Sequence, residues 1–220
     1  MPSTRTKVEI KGFEAKYYDL LMDLLTFGRY EGMIRKIIAD MGIQRGDAIV
    51  DLGSGTGRND CMMLEHTGKE GRIVGLEIGQ EMMAQAVEKC RDYPNVSFVY
   101  QRIEEPWEYE EEFDRAFISF VLHGFEDYDK EKIFDNVYKA LKPGGYFQIL
   151  DYNEFDLKRT FLPIRWLFEK AECPLASEFV ELDLKKMLSE HGFGEFDTKT
   201  YALDYVRLLT ARKPESTETA

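Results

Sequence analysis

Between positions 13 and 41 apolar residues recur at helical spacing, at Tyr17, Leu20, Leu21, Leu24 and Leu25 and again at Met33, Ile34, Ile37, Ile38 and Met41. Phe27-Gly28 separates the two sets, so the pattern predicts two N-terminal helices. Short apolar runs then alternate with amphipathic stretches. Strands are expected at 48–52, 72–77, 96–100, 114–120 and 146–151, and helices at 57–66, 80–91 and 130–141. The last of these helices places Ile133, Phe134, Val137, Ala140 and Leu141 on one face, and Lys142-Pro143-Gly144-Gly145 stops it. A helix at 182–191 ends at Gly192, and strands 195–201 and 205–211 are joined by Ala202-Leu203-Asp204, short enough for a hairpin. Strands alternating with helices build a parallel sheet covered on both faces. The expected fold is therefore α/β, with seven strands of which the last two form an antiparallel hairpin.

Residues 152–180 fit no single period, yet they hold Phe155, Phe161, Leu162, Ile164, Trp166, Leu167 and Phe168. They read as a cap that Pro163 and Pro174 break into short helices. Residues 1–212 form one domain on this reading, because 220 residues suit a single core. The polar end, 213–220, is expected to be a disordered tail.

Candidate chemistry concentrates at 49–57, where an apolar strand runs through Asp51 into Gly53, Gly55 and Gly57, and at Glu77, which closes the next strand. Glycines there let the chain turn with positive φ and set bare backbone against a ligand. An acid at the tip of the second strand is placed to accept from the hydroxyls of a ribose. The dinucleotide fingerprint fails, since Arg58 stands where its third glycine is needed, and no Gly-Lys-Ser/Thr follows to make a phosphate loop. What remains is a nucleoside without phosphates.

Asp51, the three glycines and Glu77 resemble the signature of class I S-adenosylmethionine methyltransferases, and the order of elements extends the resemblance from Tyr17 to Arg212. It implies a seven-stranded Rossmann-like sheet with S-adenosylmethionine across the C-terminal strand ends. By the same resemblance Asp51 and the Gly53 backbone hold the methionine part, Gly55 and Gly57 permit close approach, Glu77 binds the ribose, and Ile78 packs on the adenine. Ser119, closing the fourth strand, falls in the same cofactor site. After the third strand the family commonly has an acid, where this chain reads Gln101-Arg102-Ile103-Glu104. Arg102 cannot accept a hydrogen bond. Gln101 or Glu104 supplies the acceptor, or the adenine is held by the Ile103 backbone and by stacking.

The fourth strand runs into Val121-Leu122-His123-Gly124, similar to a Leu-His found in many small-molecule methyltransferases; the Asn-Pro-Pro of amino-methylating nucleic-acid enzymes does not occur. His123 is thereby placed where methyl and acceptor meet, and its near-neutral pKa suits a general base. A histidine simply packed in its loop would read the same. Tyr152 stands behind it as a second catalytic candidate, with Glu154 and Tyr18 as others. Residues 16–28 resemble the segment that opens the ubiquinone and menaquinone biosynthesis C-methyltransferases, Tyr18-Asp19 matching a Tyr-Asp pair that folds over the cofactor. Those enzymes carry Gly-Leu-Arg-Asn where this chain has Val121-Leu122-His123-Gly124.

A net charge of −12 argues against a nucleic-acid partner, whose phosphates a binding protein meets with a basic stripe. Cys61, Cys90 and Cys173 lie far apart with no metal-ligand spacing and read as reduced thiols. Methyl transfer from a sulfonium needs no metal. There is no apolar leader or membrane span, so a cytoplasmic protein is expected. The aromatic cap points to a small, partly apolar or aromatic methyl acceptor. The competing readings are a nicotinamide dehydrogenase, a cofactor-binding protein without turnover, and a methyltransferase acting on protein or another macromolecule.

Overall fold

A strand buried along its whole length must be covered on both faces, and β1 (Ala48–Leu52) is buried at all five positions. The computed structural model describes residues 28–155, 160 and 174–215. The first predicted helix, with Tyr18, and most of the predicted cap lie outside these residues. β1 pairs in parallel with β2 (Arg72–Glu77) and with β4 (Phe113–Ser119). Beyond β2 lies β3 (Val96–Tyr100); beyond β4 lie β5 (Leu141–Tyr152), β7 (Val206–Arg212) and β6 (Gly194–Tyr201). The seven strands run in the order β3-β2-β1-β4-β5-β7-β6, with β7 antiparallel to both its neighbours.

Side chains alternate across this sheet, which sorts the core into two layers. Ile49, Phe117, Leu150 and Leu208 face α1 (Tyr30–Asp40) and α2 (Arg58–Thr67). α3 (Gln80–Lys89) packs on β2 and β3 and against α2. Val50, Ile118, Ile149 and Leu209 face the opposite layer, built on α4 (Asp127–Ala140), α5 (Pro174–Phe179) and α6 (Leu184–Glu190). The chain leaves β1 toward β2 and β3, then crosses back to β4. That reversal opens a crevice at the carboxyl ends of β1 and β4, where open α/β sheets bind ligands.

Beyond small shifts of element ends, the structure differs from the sequence reading at the start of β5, at Lys213 and at the cysteines. The helix expected to end at Leu141 ends at Ala140, and Leu141 already pairs with Phe113, so the Pro-Gly-Gly stop lies inside β5 with a register irregularity beside it. Lys213 does not begin a loose tail: it is buried, and its Nζ donates to the Leu141 carbonyl at 2.7 Å. Cys61 and Cys90 are joined in a disulfide, Cα atoms 6.1 Å apart, in place of the free thiols expected. They are 29 residues apart in the chain, and only the packing of α2 beside α3 brings them together. Pro174 opens α5, where its missing N–H costs nothing. Among the described residues no helix is long and apolar enough to cross a membrane.

Candidate functional site

The turn after β1 is forced into its shape by what packs on it. Gly53 has φ +75°, and a Cβ there would lie 2.8 Å from Cγ2 of Val121. Gly57, at φ +72°, would place one 2.9 Å from the Ala86 backbone on α3. Both positions therefore demand glycine for space and for backbone conformation together. The turn is moored to the end of β2: the Gly53 and Ser54 N–H groups donate to the Leu76 carbonyl at 2.8 and 3.1 Å. Glu77 completes the mooring. Its Oε2 accepts from the Gly55 N–H at 2.9 Å, and its Oε1 accepts from Ile78 and Gly79 at 2.9 and 2.6 Å.

Against this turn opens a cavity of about 220 Å³. Of the residues singled out from sequence, Gly53, Gly55, Glu77, Ile78, Arg102, Ile103, Ser119 and His123 line it. Asp51, Gly57 and Tyr152 are not in the lining. Gly57 carries the turn against α3, and Tyr152 flanks His123 with ring centroids 5.0 Å apart. Arg102 is bound to Glu104, Nε to Oε1 at 2.6 Å, and both face the cavity. Gln101 lines it as well. Sequence reasoning missed Asn59, Tyr30 and Phe120. Asn59 donates to the Ser119 Oγ at 3.0 Å and so couples α2 to the end of β4. Phe120 takes φ +53°, an uncommon conformation for a bulky residue, which turns the chain out of β4 toward Val121 and His123. Nothing in a phenylalanine codon-by-codon signals such a backbone; only the fold imposes it.

Asp51 lies beneath the turn, 1% exposed, on the same sheet face as Ile49, and that face carries α2. There it meets Asp60, which is fully buried. None of the four carboxyl oxygens has a donor among the other described groups. Two carboxyls so placed can satisfy one another only by sharing a proton. Burial, then the charges of Asp60 and Glu77, push Asp51 well above the usual carboxylate range; burial raises Asp60 to about 7, with Lys89 opposing.

A folded-state pKa raised above the unfolded 3.8 gives stability that is complete below about pH 4 and is lost as pH rises toward 7. For Asp60 alone the loss between pH 5 and pH 8 is about 2–3 kcal/mol. Denaturant unfolding of the ligand-free protein is expected to show this fall, and Asp60→Asn to reduce it by that amount while stabilising the protein at pH 8. Parallel pH dependences in the two proteins would refute the shared proton.

His123 follows β4 in a 3-10 turn, Leu122–Gly124, and is held from β5. Its Nδ1 lies 2.8 Å from Oδ1 of the buried Asp151, whose Oδ2 accepts the His123 backbone N–H at 3.2 Å. A carboxylate only accepts hydrogen bonds, so Nδ1 carries the proton and Nε2 is the basic nitrogen. On the outer side Phe179, closing α5, stands 6.3 Å ring to ring from His123. An imidazole oriented by Asp151, a backbone-lined crevice and an acid at the tip of β2 thus lie together at one edge of a sheet with the Rossmann-like methyltransferase fold.

Within that fold class the chain belongs to the ubiE/COQ5 methyltransferase family, whose model matches residues 6–185. Curated relatives include ubiquinone/menaquinone biosynthesis C-methyltransferase UbiE of Proteus mirabilis and of Yersinia enterocolitica, each 33% identical over 143 residues. The matched stretch spans 64% of this chain and 56% of either relative. Among solved structures, a SAM-dependent methyltransferase from Aquifex aeolicus superposes with a TM-score of 0.68 at 18% identity, covering 92% of this chain and 100% of that one. The CurJ carbon methyltransferase superposes with a TM-score of 0.68 at 20% identity over 92% of this chain and 60% of its own. At these identities the likeness is one of fold.

Proposed function

We propose that the protein binds S-adenosylmethionine in the cavity beside the glycine turn and transfers its methyl group to a small, partly apolar or aromatic acceptor, with carbon as the accepting atom. The observation that carries the reading is Glu77: one carboxylate at the tip of β2 holds the turn through Gly55 and faces the cavity. The residues suit this cofactor. Asp51 and Asp60, sharing one proton beneath the turn, keep a negative charge behind the lining toward which an ammonium group in the cavity would be drawn. Ile78, just after β2, and Ile103, after β3, supply apolar walls, and Gln101 and Glu104 offer acceptors in the same lining. Three N–H groups already occupy three of the roughly four acceptor positions on Glu77. Gripping both hydroxyls of a ribose then displaces one of these three N–H groups or shares an oxygen with it.

When bound, the cofactor supplies an electrophilic methyl on sulfur. His123 Nε2 takes the proton from the acceptor's hydroxyl, and the oxyanion so formed is nucleophilic at oxygen and at the carbon ortho to it; the methyl would pass to that carbon with the thioether S-adenosylhomocysteine as leaving group, and loss of the proton from the same carbon restores the aromatic or enol system. Asp151 holds the ring in the tautomer this requires and faces the imidazolium that forms. Tyr152 and Phe179 bracket the imidazole. The packing of α5 over the His123 turn favours a small acceptor over a protein side chain, which needs an open cleft. The net charge of −12 disfavours nucleic acid. Carbon as the accepting atom is favoured by the names of the curated relatives, which are C-methyltransferases.

Calorimetry with S-adenosylhomocysteine and with NAD tests the cofactor half: the first is expected to bind in the micromolar range or tighter and the second not at all. Transfer of a labelled methyl from S-adenosylmethionine into a solvent-extractable product of a cell extract tests the other half. Label appearing only in protein, or binding without any transfer, would overturn the small-acceptor reading.

A further inference from the structure

Arg207, the second residue of β7, has a side chain only 2% exposed. Its Nη1 pairs with the carboxylate of Glu154, just past the end of β5. The other edge is different: Nε and Nη2 are buried and have no acceptor among the described residues. A guanidinium keeps its charge in a protein, and two unanswered N–H groups on a buried one are a deficit that folds rarely tolerate without a ligand or ordered water to meet it.

Strand register locates that edge. Arg207 stands directly opposite Asp151 in the antiparallel β5–β7 pair. Facing residues of such a pair project to the same side, their Cβ atoms about 4.5–5.5 Å apart. Asp151 is the residue that holds Nδ1 of His123. Ile149 and Leu209, two steps along each strand, mark this as the face covered by α4 and α6, and Phe179 packs into the same cluster. Arg207 does not line the cavity beside the glycine turn. Register sets it beside the His123–Asp151 pair, on the same face of the sheet.

The charges around it narrow what it takes. Glu154 already balances Arg207, and Asp151 beside it opposes a ligand that arrives as an anion. A ligand that arrives neutral and becomes anionic as its proton passes to His123 meets no such opposition. The imidazolium then forms against Asp151 and the oxyanion against Arg207. Two parallel N–H groups on one edge suit a pair of oxygens spaced as in a carboxylate, and oxygens on neighbouring carbons of a planar ring or enol stand at a comparable spacing. We propose that Arg207 is a binding residue of the acceptor site, its Nε–Nη2 edge receiving the neighbouring oxygens of a vicinally dioxygenated phenol or enol. This rests on the methyltransferase reading above and adds to it a residue and the oxygen pattern that the residue selects.

The probes are 4-nitrocatechol and 4-nitrophenol, titrated into protein saturated with S-adenosylhomocysteine and followed by phenolate absorbance. The expected result is about tenfold tighter binding of the catechol, with the apparent pKa of the bound catechol lowered by about one unit or more. Arg207→Gln should abolish both effects. Arg207→Lys, which keeps the charge but not the fork, should keep part of the pKa change and lose the preference for two oxygens. The dissociation constant for S-adenosylhomocysteine should be unchanged in both variants. Equal affinity for the two phenols in the wild type, or unaltered catechol ionisation in the variants, would overturn the proposal and leave water on that edge. Should Arg207→Gln not fold, the wild-type comparison and Arg207→Lys decide the matter. If the wild type does not bind S-adenosylhomocysteine, the cofactor reading itself falls, and this inference with it.

Discussion

Replacing Glu77 with alanine is expected to weaken S-adenosylhomocysteine binding by about 100-fold or more. Hydrogen bonds to a charged group contribute about 1.5–3 kcal/mol each, and two hydroxyls of a ribose would be lost together. A 100-fold change is about 2.7 kcal/mol, so even imperfect bonds reach that figure. The second effect acts in the same direction. Glu77 accepts the Gly55, Ile78 and Gly79 N–H groups, and without it the turn loses its tie to β2. Glu77→Gln separates the two contributions, because its carbonyl still accepts while the charge is gone; about tenfold weakening is expected. Calorimetry on variants whose circular dichroism matches the wild type is the measurement. Unchanged affinity in Glu77→Ala would remove the adenosine from this end of the cavity.

Replacing His123 with glutamine is expected to lower kcat by about 10²- to 10⁴-fold, the usual contribution of a positioned general base. Affinity for S-adenosylhomocysteine should stay within a few-fold of the wild type, since the ring is held from β5 and only edges the cavity. The rate should rise with pH in the wild type as Nε2 loses its proton, and that rise should vanish in the variant. Asp151→Asn is the complementary change. It keeps the shape but no longer enforces the tautomer or faces an imidazolium, so it should lower kcat and move the pH profile while leaving the cofactor constant alone. A His123→Gln enzyme with full activity and an unaltered profile would reduce the His123–Asp151 pair to a structural contact.

β1, β2 and β3 appear at the residues where apolar runs bounded by turn signals place them. β1 and β2 announce themselves locally because each is buried and presents apolar groups to both layers, whereas β3, the edge strand, is marked by its apolar run alone. Gly53, Gly55 and Glu77 were legible for a similar reason: a tight turn and an acid at a strand tip are properties of consecutive residues. Helix ends were less so. α4 begins three residues before the predicted start at 130, since Asp127 and Asp129 suit a first turn whose free N–H groups favour acids.

Other features have no trace in the order of residues. Asp60 reads as an ordinary helix carboxylate until alternation along β1 turns Asp51 toward α2. Cys61 and Cys90 read as separate thiols until α2 and α3 lie side by side. Asp151 and Arg207 are 56 positions apart by their numbers in the chain, yet they face each other across β5 and β7. Periodicity and composition were sufficient for the architecture and for the glycine turn with the acid at the tip of β2, because those depend on interactions among near neighbours in the chain. Which carboxyl meets which, which imidazole nitrogen keeps its proton and which guanidinium edge is left unanswered depend on strand register, and register is settled only when the whole sheet closes around one core.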